Sequence, residues 1–259
     1  MRFFSKRGLS IRDAWTLRRQ LAERMERRVL RPGHEGSDGY LRYRNFFPNL
    51  RLIFVHIPKT AGTSVQFYFS QMDRMLENQK GQSELGAPST NSKVHSKHLK
   101  AQELREYLGE EIWHASYRVS FVRNPWDLMV SSYNWWLQKA PTYVHLRSSA
   151  AEIVRMGDFG SFMRSRYGLE MINECSGNQL DWINDGHGDS VHYVGQTETF
   201  EHDLWRIAEH LELRELESVR VPRLNQSRRL DYRSYYTLET AQLVRRRFAR
   251  EIERFGYRF

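Results

Sequence analysis

Residues 56–64, HIPKTAGTS, gather one lysine, one glycine and three hydroxyl side chains directly after the apolar run RLIFV at 51–55. A loop between a buried strand and a helix N-terminus presents backbone amides and the positive end of the helix dipole, which together attract an anion. Lys59 adds a point charge, Gly62 admits close approach of the backbone, and Thr60, Thr63 and Ser64 supply hydroxyl donors. The stretch departs from the nucleoside-triphosphate loop G-x-x-x-x-G-K-[ST], because its lysine precedes its single glycine. An ordinary helix start capped by Thr63 or Ser64 is the competing reading. A second loop, RNPW at 123–126, follows YRVSFV at 117–122 in the same way and places Arg123 at the carboxyl end of a strand. Taken alone, an arginine there is as compatible with a salt bridge. With Ser131 two helical turns further on, it suits a second anion, and two such sites in one sheet suit a ligand with two separated anionic groups.

The absence of acid at the strand ends narrows the chemistry. The three strongest strand patterns run into His56, Arg123 and Gly195. Phosphoryl transfer relies on magnesium, usually held by an acidic residue in that position. No metal is therefore expected, and the transferred group carries less charge than phosphoryl.

These residues need a scaffold that aligns strand ends, and the hydropathy pattern supplies one. RLIFV, YRVSFV and SVHYVG (190–195) read as buried strands. Between and after them come helical patterns: Val65, Tyr68, Phe69, Met72, Met75 and Leu76 on one face; AQELREYLG at 101–109; PWDLMVSSYNWWLQ at 125–138, with proline in its favoured first turn; then Phe200, Leu204, Ile207, Ala208 and Leu211. A last helix is predicted from about Thr237, with Ala241, Val244, Phe248, Ile252 and Phe255 inward. Alternating strands and helices imply an α/β fold, a parallel sheet covered on both faces, with ligands at the carboxyl ends of its strands. Residues 140–189 break the alternation and read as an insertion that shapes an acceptor pocket. Residues 1–45 read as a separate basic helical arm and 46–259 as the main domain; the turn-rich RPGHEGSDG at 31–39 closes the arm.

The formal charge of +9 is uneven. Lys and Arg outnumber Asp and Glu by 12 to 5 in residues 1–50 and by 12 to 6 in 214–259, against 16 to 20 between them. No zinc-finger, RNP or helix-turn-helix pattern accompanies the arginines, so nucleic acid is not expected as a partner. The helix at 11–30 fits an anionic membrane surface, and equally the side of a domain or a partner subunit. No run approaches the roughly 20 apolar residues of a membrane span, nor the apolar core of a signal peptide, so a cytoplasmic protein is expected, peripheral at the inner membrane face if the arm binds lipid. Cys175, the single cysteine, reads as a small buried hydrophobe.

FVHIPKTAGTS and RVSFVRNPWDLMVSSY resemble the 5′-phosphosulfate and 3′-phosphate motifs of the sulfotransferase family that includes the Golgi carbohydrate sulfotransferases and their bacterial relatives. YVGQTETFEHDL, PRLNQS and EIERFGYRF extend the similarity over roughly residues 50–259. The resemblance implies a three-layer sheet with a P-loop-like phosphosulfate loop, and 3′-phosphoadenosine 5′-phosphosulfate as donor. Lys59, Thr60, Ala61, Gly62, Thr63 and Ser64 would cradle the phosphosulfate, and Arg123 and Ser131 the 3′-phosphate. Asn225, Ser227 and Arg228 of LNQSR would close over the adenosine. SKHLKAQEL resembles the lysine-histidine pair between the two motifs in relatives, which makes His98 the general base, Lys97 a nearby charge and His95 the runner-up; a carboxylate base is the other alternative. His56 is read as positioning the loop, and Lys59 as stabilising the leaving phosphate. The implied acceptor is a hydroxyl, most simply of a carbohydrate or glycoconjugate. A nucleotide-binding protein without transferase activity and an atypical nucleotide kinase are the competing functions.

Overall fold

The computed structural model describes residues 45–80, 98–184, 190–213 and 230–259. Apart from Asn45, the arm at 1–45 lies outside them.

The described chain forms, in order, β1 (Phe46–Phe47), β2 (Leu52–Val55), α1 (Gly62–Lys80), α2 (Ala101–Leu108), α3 (Glu110–Ala115), β3 (Tyr117–Val122) and α4 (Pro125–Gln138). It continues through α5 (Arg147–Met156), α6 (Phe159–Arg164), α7 (Arg166–Leu169), a short hairpin of β4 (Met171–Ile172) and β5 (Cys175–Ser176), and α8 (Leu180–Ile183). β6 (Tyr193–Gln196), α9 (Phe200–His210), α10 (Leu238–Arg247) and α11 (Ala249–Phe255) complete it.

The main sheet has the order β1-β2-β3-β6. β2, β3 and β6 are parallel, with Phe54 opposite Val119 and Ser120 opposite Val194. The sequence led to an all-parallel sheet, but β1 runs antiparallel to β2. Four residues separate the two strands, far too few for a parallel crossover. Asp73 of α1, fully buried, holds that turn by accepting the amides of Asn49 and Leu50 at 2.8 and 3.1 Å.

Alternation along the strands sends residues to opposite faces. Leu52, Phe54, Val119 and Phe121 pack with Val65, Phe69 and Met72 of α1 and with Phe200, Leu204 and Ile207 of α9. Ile53, Val55 and Val122 join a different cluster with Leu104, Trp113, Trp126 and Met129. Burial on both faces explains why these strands read as unbroken apolar runs.

Several boundaries differ from expectation. β6 begins at Tyr193 rather than near Ser190, because the His192 side chain takes the ladder's place: its Nδ1 accepts the Arg118 amide at 2.9 Å. The single C-terminal helix is two, divided at Phe248. Just before the break Arg247 turns inward and donates to the carbonyls of Gly168, Gly177 and Met171 at 2.7, 2.9 and 3.1 Å, and burial pulls its pKa down to about 10. Within the 140–189 segment, Ile153, Phe162, Tyr167 and Trp182 of the described residues lie in the same core cluster as Ile53 and Val55. Met75 is 42% exposed, and Cys175 is half-buried rather than buried. No helix among the described residues is long and apolar enough to cross a membrane.

Candidate functional site

Both loops singled out by sequence leave the carboxyl ends of neighbouring parallel strands. After β2 the chain stays buried through His56, Ile57 and Pro58, then turns on two residues with left-handed backbone, Lys59 at φ 67 and Ala61 at φ 60. Each costs about 1 kcal/mol or more in a residue with a β-carbon, strain that recurs at binding sites. From there exposure alternates: Lys59, Ala61 and Thr63 are partly open to solvent, while Thr60, Gly62 and Ser64 are buried. The Thr60 hydroxyl donates inward to the Ile57 carbonyl at 3.0 Å and tightens the turn. α1 starts at Gly62, and the amides of Ser64 and Val65 return to the Ala61 carbonyl at 2.9 and 3.3 Å. Thr63 and Ser64 are thus already helical, and neither is the N-cap.

Gly62 also has a reason internal to the fold. A β-carbon there would stand 1.9 Å from Nε2 of His56. The glycine therefore admits the close approach of the imidazole packed against the loop. His56 is 3% exposed and stacks on Phe54 at 5.2 Å.

The turn after β3 is held by partners from afar. Gln179, fully buried, clamps the Arg123 backbone from both sides, accepting its amide at 2.7 Å and donating to its carbonyl at 2.8 Å. Glu198 accepts the Asn124 amide at 2.7 Å, and Asn124 donates to the Arg258 carbonyl at 3.0 Å while capping Trp126. Tyr257 also donates to Glu198, at 3.4 Å, and burial next to that carboxylate pushes its phenol far above the ordinary range. The Arg123 guanidinium meets Oδ2 of Asp127 through Nε at 2.7 Å and Nη2 at 2.5 Å. Through Nη1 it donates to the Lys59 carbonyl at 3.0 Å, so one side chain joins the two loops across 64 residues of sequence. Ser131, 7% exposed, lies two turns into α4, beyond Asp127 on the same side of the helix.

His98 enters from the segment before α2. Its Nδ1 lies 3.1 Å from the His56 carbonyl, and the two rings meet edge to face at 4.5 Å. A carbonyl only accepts, so Nδ1 carries the proton and the basic lone pair sits on Nε2. The structure therefore brings together His98, the 59–64 turn and Arg123. Lys97, His95, Asn225, Ser227 and Arg228 lie outside the described residues. Sequence reasoning passed over Asp127, Gln179 and Glu198. Asp127 stands four residues from Arg123, an ion-pair spacing that was available to find it. Gln179 and Glu198 carry no local signal.

The model of the sulfotransferase family matches residues 44–258. No curated protein and no solved structure matches the chain.

Proposed function

The chain belongs to the sulfotransferase family, and from that premise we propose that it moves a sulfuryl group from 3′-phosphoadenosine 5′-phosphosulfate to a hydroxyl of a carbohydrate or glycoconjugate. The observation that carries the donor assignment is the Arg123 bridge: a single guanidinium reaches the Lys59 carbonyl at 3.0 Å, so two strand-end anion loops stand side by side, as a doubly anionic donor needs. The donor supplies the sulfuryl group and departs as 3′,5′-bisphosphoadenosine.

Lys59 and the turn through Ser64 hold the phosphosulfate, with the lysine ammonium offsetting charge that builds on the leaving phosphate. Thr60 serves this turn by shaping it, since its hydroxyl is directed to Ile57. Arg123 and Ser131 hold the 3′-phosphate, and Asn225, Ser227 and Arg228 close over the adenosine. His98, its Nδ1 proton committed to the His56 carbonyl, takes the acceptor's hydroxyl proton on Nε2. Lys97 lies beside it in sequence and supplies charge to acceptor or leaving group. Residues 140–189 shape the acceptor pocket, and the basic arm at 1–45 carries any peripheral membrane contact of a cytoplasmic enzyme.

Transfer of radiolabelled sulfate from the donor to fractionated cell extracts tests this reading. Label should appear in a fraction and become small fragments after glycosidase digestion. Label released only as free sulfate in every fraction contradicts it.

A further inference from the structure

Asp127 occupies a position between the two residues proposed for the 3′-phosphate. Arg123 lies just ahead of α4, Asp127 in its first turn and Ser131 one turn further. One carboxylate oxygen of Asp127 receives two guanidinium nitrogens of Arg123, at 2.7 and 2.5 Å. A planar guanidinium held along one edge has little freedom to swing, so this grip decides where its remaining edge points. That edge donates to the Lys59 carbonyl at 3.0 Å. Lys59 in turn holds φ 67, a left-handed backbone that a residue with a β-carbon keeps only when its surroundings constrain it. The side chains of Arg123 and Asp127 are 19% and 20% exposed, shielded enough for a charge-assisted pair to fix geometry.

We infer that Asp127 is a positioning residue which, through Arg123, holds the 59–64 turn in shape and so couples the two anion sites of the donor. This rests on the donor reading above and adds a consequence that a simple 3′-phosphate site lacks. Removing Ser131 matters only to a nucleotide that carries a 3′-phosphate. Removing Asp127 disturbs the turn at the other end, and weakens a nucleotide without one as well.

The test is calorimetric titration of the full chain with 3′,5′-bisphosphoadenosine and with adenosine 5′-phosphosulfate, which lacks the 3′-phosphate. Asp127→Ala should weaken both by about tenfold, whereas Ser131→Ala should weaken the bisphosphate alone. Asp127→Asn keeps an acceptor oxygen for Arg123 and should recover part of both losses. It carries the same comparison if the alanine variant melts early, since the ratio between the two nucleotides is what is read. A loss confined to the bisphosphate, or no loss, overturns the inference and leaves the donor reading standing. Binding of neither nucleotide by the unsubstituted chain overturns both.

Discussion

The turn after β2 and the turn after β3 hold equivalent places on neighbouring parallel strands, yet they are built in opposite ways. The first draws most of its contacts from its own residues, left-handed Lys59 and Ala61, the Thr60 hydroxyl on the Ile57 carbonyl and the His56 ring beside Gly62, with Arg123 reaching in to the Lys59 carbonyl. The second is held from outside, by Gln179, by Glu198 and by the carbonyl of Arg258 near the end of the chain. The backbone of the first turn reaches one further side chain directly, the His56 carbonyl orienting His98. A turn held by distant elements ties ligand binding to the packing of the whole domain. His98, oriented by the backbone of the first turn, should therefore govern turnover, and the packing behind the second turn should govern affinity.

The largest effect expected from this division is at His98. His98→Ala should lower turnover by about 10²–10⁴ while affinity for 3′,5′-bisphosphoadenosine stays unchanged; single-turnover kinetics beside calorimetry read both. Turnover close to that of the unsubstituted chain would remove His98 from the base role.

Gly62→Ala comes next. Its β-carbon would meet the His56 ring at 1.9 Å, and overpacking of this kind costs about 1–3 kcal/mol. Urea unfolding should show that loss, and His56→Ala in the same chain should return much of it, as a coupled pair requires. Additive losses would mean that the ring does not fill the glycine's space.

Gln179→Ala strands both the amide and the carbonyl of Arg123, at a cost of about 1–3 kcal/mol in stability. Its effect on nucleotide binding should appear with the bisphosphate and leave single-turnover chemistry at saturating donor intact. A selective loss of the chemical step would undo the contrast between the turns.

The smallest effect lies away from both turns. Burial, followed by the charges of Arg118 and His210, holds His192 below its ordinary value of 6.5. The unfolded chain thus binds this proton more readily than the folded one. Stability should be unaffected by His192 above that pH, and should fall as pH drops below it toward the folded value. His192→Gln should flatten this acid limb in thermal melts while nucleotide affinity holds; an unchanged limb would exclude His192 as its cause.

The sequence made the first turn legible because its determinants are contiguous: strand, turn and helix occupy residues 52–80 without interruption. Even there the ring packed against Gly62 escaped notice, since an imidazole six residues earlier leaves no periodic signal. β3 and α4 were readable to the residue, for the proline at the helix start and the apolar run before it are local facts. β6 was placed three residues early because a side chain, His192, replaced a backbone group in the ladder. Gln179, Glu198 and Arg258 reach the second turn over 56, 74 and 134 residues, distances at which only the folded chain shows who meets whom. The antiparallel β1 escaped notice as well, two residues being too short to show alternation.

Two strand-end loops joined by Arg123 are proposed to form one site for a doubly anionic nucleotide. Isothermal titration of the chain with 3′,5′-bisphosphoadenosine and with ATP, each with and without magnesium, tests it most directly. The bisphosphate should bind without magnesium, and ATP should bind poorly in either condition. Magnesium-dependent ATP binding as tight as that of the bisphosphate would contradict it.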